Sequence, residues 1–344
     1  MNEYYNTAST DWRISQCCQF IEKQKAKRYN FGTTTKTYAL KDGGKQKIQS
    51  KALENCNKLV DILETWFPTR PINLRSFRIS SEIFPCYTLD FTKDWYAEIW
   101  DDISKILAKA GEAAKKHNVR LSVHPGQYTV LGSNNEEVVA NSIKDLEYHA
   151  LYGILMNIPA EQFVMNIHLQ GLYGGKREDG IKRFAANFHY LSDYAQKCLA
   201  VENEDKHKSG YDIEHVLELT NIIPTRATFD IHHYECYRQK NCIFPNVSDV
   251  FFKEAVKSWK NIRPLFHVSQ TLLDDNGNDV ARMNQHSNIL HDLERLANMA
   301  PMLEYADFDI EAKNKEEAVD HAYKFFKEEE LYAGEILKCK KILA

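Results

Sequence analysis

Seven residues have the chemistry of metal ligands and fall near the ends of β-rich runs: His124, His168, Glu202, Asp230, His232, His267 and Glu311. Taken singly, a strand-end histidine is more often a hydrogen-bonded structural group, and a buried carboxylate usually faces an arginine. Taken together they are hard to bury, because each unpaired charge removed from water is heavily penalised. A convergent ring of imidazoles and carboxylates therefore calls for divalent cations. Zinc sites take about four ligands and octahedral sites about six. Seven candidates exceed what one ion can use, so two or three ions per chain are expected, with Glu202 able to bridge. Nitrogen and oxygen donors without thiolate suit Mn(II), Zn(II) or Fe(II) and do not choose among them; manganese is the expected ion, with zinc or another as the alternative. The chemistry such a cluster serves is phosphodiester hydrolysis, in which neighbouring ions acidify a water and stabilise the departing oxygen. Glu202, His168 and Glu311 are the expected catalytic centre. The Gly-rich run GLYGGKRED (171–179) lacks the Lys-Ser/Thr pair of a phosphate-binding loop, so nucleotide-dependent chemistry is not indicated.

The elements that must position these residues alternate along the chain. Strand-like runs at 13–20, 74–80, 119–124, 162–168, 198–203, 226–233, 264–269 and 305–313 are each followed by a segment of helical periodicity: 49–66, 95–117, 136–157, 180–196, 212–220, 247–259, 287–299 and 315–329. Eight strand–helix units predict a (β/α)8 TIM barrel in a single domain over 1–344. Six consecutive strands, the third to the eighth, deliver a ligand-type residue at the same end, which in such a barrel is the active-site face. The polar stretch 21–48, with a turn at Gly43-Gly44, is expected to be a long basic loop after the first strand, and about 330–344 a C-terminal tail.

Composition sets the bounds. The 344 residues carry a formal net charge of −4. That is unlike a nucleic-acid binder overall, but IEKQKAKRY (21–29) is strongly basic, and Lys41, Lys45, Lys47 and Lys51 follow. An acidic cluster that holds cations lowers the formal charge without repelling phosphate once the ions are bound. The cysteines Cys17, Cys18, Cys56, Cys86, Cys198, Cys236, Cys242 and Cys339 form no C-x-x-C pair and suggest reduced thiols. No apolar run reaches membrane-span length, and MNEYYNTASTDWRIS has no leader pattern. The expectation is a soluble cytoplasmic protein, at the nucleoid if DNA is its partner, with no membrane association and no obligate protein partner.

FRISSEIFP (77–85), RLSVHPGQYTVLGS (120–133), NIHLQGLYGGK (166–176), VENED (201–205), DIHHY (230–234), FHVSQ (266–270), NQHSNIL (284–290) and DIEAKNKE (309–316) occur in this order. In that combination the chain resembles the UV-damage endonuclease family, from about residue 12 to 320. That family is related in fold to endonuclease IV and the xylose-isomerase-like barrels. The resemblance implies nicking of damaged double-stranded DNA immediately 5′ of cyclobutane pyrimidine dimers and 6-4 photoproducts, leaving a 3′ hydroxyl and a 5′ phosphate. It implies the seven ligands above and adds His286, which the strand-end reading misses, beside His232 on a third ion; His233 is read as a neighbour. It gives Gln127 and Tyr128 the role of probing the duplex where damaged bases leave the stack, the cheapest place to open one. Lys313 is a candidate phosphate contact. Three positions depart from the family pattern: CYTLDF (86–91) has no histidine, Leu265 stands where many relatives have lysine, and Gln16 stands where relatives have tyrosine. The basic segment 21–48 is a candidate to compensate by holding phosphates.

Three other readings compete. An abasic-site endonuclease of the endonuclease IV type would share the metals without favouring dimers. A sugar isomerase would need a compact polyol pocket and a catalytic lysine. A non-catalytic DNA-binding barrel would have no need of the ligand set.

Overall fold

The computed structural model describes residues 11–173, 175–239 and 242–342, with side chains as far as 328. The expectations for residues 1–10, for Gly174 of the Gly-rich run and for Cys339 lie outside the described residues or side chains.

Eight short strands form the framework: β1 (Ile14–Cys17), β2 (Ser76–Ile79), β3 (Arg120–Val123), β4 (Val164–His168), β5 (Leu199–Glu202), β6 (Arg226–Thr228), β7 (Leu265–Val268) and β8 (Asp307–Ile310). They pair in parallel in the order β6-β5-β4-β3-β2-β1-β8-β7. The ring closes between β6 and β7, where Asp230 bridges His267 and the His267 amide donates to Phe229 O at 3.1 Å. A closed parallel ring wrapped by helices is the TIM barrel expected from the alternation. Every strand carries two buried faces, one towards the barrel axis and one towards the helices, which is why runs such as Leu199–Glu202 are buried throughout.

The base of the barrel is held by charge. Asp307 accepts from Arg120 Nη1 at 2.7 Å, from Arg263 Nε at 2.6 Å and from the Arg13 amide at 2.9 Å, joining β3, the approach to β7, β8 and the residue before β1. Burial disfavours the charged form of Asp307, but Arg120 and Arg263 outweigh it and hold the carboxyl below its usual range. Three donors on a buried carboxylate satisfy what would otherwise be a costly group.

Three expectations are corrected. The segment 21–48 is not a loop: it contains helices α1 (Lys23–Tyr29) and α2 (Lys36–Ala39) and the start of α3 (Gly44–Asp61). Local caps explain this. The Glu22 side chain accepts from the Gln24 and Lys25 amides, Thr35 caps α2, and Gly43 takes φ +73° before α3, a conformation glycine adopts without strain. The sixth strand stops at Thr228 instead of running to 233, because Asp230 caps the helix Ile231–Arg238 and accepts from the His233 amide at 2.7 Å. The expected tail from about 330 is a continuation of the last helix, Lys315–Ile342. The seven cysteines described are free thiols, and no helix among the described residues is long and apolar enough to cross a membrane.

Candidate metal centre

The strand ends meet at one mouth of the barrel. Register sets His168 on β4 beside Glu202 on β5. Glu202 is the hub, fully buried. Its Oε2 lies 3.2 Å from His124 Nε2 and 3.0 Å from His267 Nδ1, and its Oε1 lies 3.1 Å from His233 Nδ1. His267 Nδ1 is also 3.3 Å from Glu311 Oε1. Three triads each bring one donor atom per residue within 4.8 Å of one another: His124, Glu202 and His267; His168, Glu202 and His233; Asp230, His267 and Glu311. At the outer edge, His286 Nδ1 is 3.7 Å from Glu311 Oε2, and its ring centroid is 5.6 Å from that of His232.

Of these contacts His124 Nε2 to Glu202 Oε2 has hydrogen-bond geometry, but several donor atoms of the cluster do not. Glu202 Oε1, Asp230 Oδ2 and His267 Nδ1 are buried with no hydrogen-bond partner among the described residues. Two ligands each about 2.1 Å from a shared ion stand roughly 3.0–3.4 Å apart at octahedral or tetrahedral angles. The residues fit divalent cations on both counts, spacing and unmet donor capacity.

Neighbours hold the hub in place. Asn166 Nδ2 donates to Glu202 Oε2. Asn203 ties β5 to the β6 end in both directions, accepting from the Asp230 amide at 2.9 Å and donating to Asp230 O at 3.0 Å. The Arg78 guanidinium donates to Glu311 Oε1.

Burial lowers the pKa of His168 to about 4 and that of His232 to about 3, which keeps both rings neutral and able to ligate. Burial also lifts Asp230 to about 6. Burial opposes charging His267, yet Glu202 and Glu311 win and raise it to about 9. His233 is raised well above its ordinary value, chiefly by Asp230 and Glu202 against burial. Without ions, protons on His267 and His233 offset the carboxylates.

The remaining expected residues sit on the rim. Gln127 is exposed, and Tyr128 is 84% exposed on the loop after β3. That loop is rigid beneath its tip: Thr129 Oγ1 donates to Asp145 at 2.5 Å, and Arg183 donates to both Gly132 O and Gly171 O. Gly171 takes φ +103°, and a Cβ there would collide with Gly132 O. Lys313 is exposed, its amide donating to Ser287 O at 2.9 Å. Leu265 is buried in β7, and Gln16 is buried in β1 with Nε2 donating to Gln19 O.

Sequence reasoning set His233 aside as a neighbour, whereas the structure brings it against Glu202. The D-x-x-H spacing on a helix start was the available signal, since residues three apart share a helix face. Asp309, Arg78, Asn166 and Asn203 were also overlooked.

A family profile for UV-endonuclease UvdE matches residues 17–339. The chain belongs to this family. Among its UvdE relatives, a UV DNA damage endonuclease of Nostoc sp. is 31% identical over 303 residues, covering 86% of this chain and 85% of that protein. A UV-damage endonuclease of Neurospora crassa is 31% identical over 298 residues, covering 83% of this chain but only 42% of that longer protein. The crystal structure of SacUVDE superposes with a TM-score of 0.73 at 27% identity, over 92% of this chain and 98% of that one. Endonuclease IV from Thermus thermophilus shares the fold, with a TM-score of 0.52 at 13% identity over 92% and 97% of the two chains.

Proposed function

We propose that this UvdE-family chain is a DNA repair endonuclease that hydrolyses the phosphodiester immediately 5′ of cyclobutane pyrimidine dimers and 6-4 photoproducts, leaving a 3′ hydroxyl and a 5′ phosphate. One observation carries the reading: a buried ring of His and carboxylates around Glu202, in which Glu202 Oε1, Asp230 Oδ2 and His267 Nδ1 have no hydrogen-bond partner among the described residues, at the barrel mouth of a chain in this family. His124, His168, Glu202, Asp230, His267 and Glu311 would hold two divalent ions, with His232 and His286 at a third, outer position. His233 joins the ligand set by its place against Glu202. Manganese is the first choice and zinc the alternative; the nitrogen and oxygen donors accept either. The bound ions supply Lewis acidity, acidifying a water and neutralising charge that gathers at the phosphorus. Glu202 links the donor groups into one unit, and His168, neutral because it is buried, stands ready to ligate without losing a proton. Gln127 and Tyr128, on a stiff loop and free of packing at the tip, suit insertion at the opened step of a damaged duplex. Lys313, exposed after β8, suits a phosphate.

The helical segment 21–48 is the second contact with DNA. It carries eight lysine or arginine residues against two acidic ones. Lys23, Lys27, Lys36, Lys41 and Lys47 make no ion pair among the described residues; Lys25, Arg28 and Lys45 do. The segment is anchored at its start and in its middle. Glu316 accepts from the Ile21 and Glu22 amides, and the Cys86 thiol donates to Thr34 O.

The experiment is a nicking assay on irradiated and untreated supercoiled plasmid, with Mn(II) and with chelator. Metal-dependent nicking confined to irradiated DNA is expected. Equal nicking of plasmids carrying only abasic sites, with no response to dimers, would move the assignment to an abasic-site nuclease.

A further inference from the structure

One layer below the ligands lies a group that the metal chemistry does not use directly. Asp309 is fully buried on β8, in register with His267 on β7. Neither of its carboxylate oxygens has a hydrogen-bond partner among the described residues. Its neighbours are His267 Nε2, 3.5 Å from Oδ2, and Arg78 Nη1, 3.6 Å from the same oxygen. The two nitrogens of His267 thus serve two layers: Nδ1 faces Glu202 and Glu311, and Nε2 faces Asp309. Arg78 reaches Asp309 and Glu311 from β2, although β1 lies between β2 and β8. The register partner of Arg78 on β1 is Cys17, a small buried residue.

A buried carboxylate without directed hydrogen bonds destabilises a barrel interior, where an apolar side chain of similar size would serve as well or better. Fold stability therefore does not account for Asp309. Histidine ligands commonly turn their second nitrogen to a carboxylate, which sets the tautomer and the ring orientation. We infer that Asp309 and Arg78 are positioning residues of the metal centre: Asp309 orients His267 from beneath, and Arg78 ties Asp309 to Glu311, so that β7 and β8 present their ligands as one unit. The inference rests on the reading of the Glu202 cluster as a metal centre. Neither residue touches substrate, and neither is a ligand.

The test measures metal binding itself. Ions per chain and affinity for Mn(II) and Zn(II) are determined on the full chain by competition with a chromophoric chelator, for wild type, Asp309→Asn, Arg78→Met and Arg78→Lys. Asp309→Asn is expected to bind about 10- to 100-fold more weakly while the ion-free protein melts no lower than wild type, because the substitution removes a buried charge that accepts no hydrogen bond. Arg78→Met is expected to weaken binding, and Arg78→Lys to restore part of it. Should Asp309→Asn fail to fold, Asp309→Ser is measured in the same way. Wild type that binds ions while the Asp309 variants bind equally tightly overturns the inference alone. Wild type that takes up no ion overturns the metal-centre reading and the inference together.

Discussion

At the scale of single residues, the centre is a problem of charge held out of water. Glu202, Asp230, Asp309 and Glu311 crowd one end of the barrel with Arg78 as the nearest guanidinium, and in the ion-free protein protons on His267 and His233 make up part of the balance. Ligation requires neutral rings, so ions and protons compete. His267 titrates near 9, so its ring is protonated at pH 7, and metal affinity is expected to rise with pH until about 9. Metal binding at pH 7 should release protons, read by calorimetry in two buffers of different ionisation enthalpy. An apparent enthalpy that is the same in both would contradict it. Tyr128 offers a second prediction. Being 84% exposed, it contributes little to stability, so Tyr128→Ala should leave the melting temperature and metal content unchanged. The same variant should narrow the preference for irradiated over untreated DNA by at least tenfold; an unaltered preference removes its probing role.

At the scale of elements, short helices supply what composition alone only hinted at. The basic segment after β1 is folded by its own caps and pinned by the helix after β8 and the loop after β2, so its lysines are displayed and not merely tethered. Replacing Lys23, Lys27, Lys36, Lys41 and Lys47 with glutamine should weaken DNA binding and reduce the slope of log affinity against log salt by about 0.9 for each phosphate no longer neutralised. Turnover at saturating DNA should stay near wild type. An unchanged slope would make the segment a bystander. At the other end of the barrel, Asp307 gathers three donors from separate elements. Asp307→Asn leaves Arg120 and Arg263 short of their counter-charge in a buried site, and a loss of about 3–5 kcal/mol in denaturant unfolding is expected. A loss under about 1 kcal/mol would mean that the barrel base is held by packing alone.

At the scale of the whole molecule, folding is what assembles the candidate ligands. The ligands come from β3 through β8 and the loops after them, residues far apart in sequence, so the unfolded chain offers no comparable site. Ions that bind only the folded state stabilise it by about 2.7 kcal/mol at a hundredfold excess over Kd. Chelation should therefore lower the melting temperature, and adding Mn(II) back should restore it; a melting temperature indifferent to both would argue against occupied sites.

Much of this was legible in the chain because the signals are local. Alternating strand and helix periods need only short windows to be seen, and they announced the eight-fold barrel. Ligand-type residues at run ends, His124, His168, Glu202 and Glu311, carried their address in the strand they close. What local pattern could not decide was where neighbouring elements begin and what they face. A single cap at Asp230 ended β6 early and turned His233 inward against Glu202. His286 arrives from a loop, through a bridge to Thr271. Asp309 reads from sequence as one more polar residue on a strand, and its place between His267 and Arg78 exists only once β2, β7 and β8 have closed around the barrel axis. Register and closure are relations between strands, and their free energy comes from contacts between residues that no sequence window contains together.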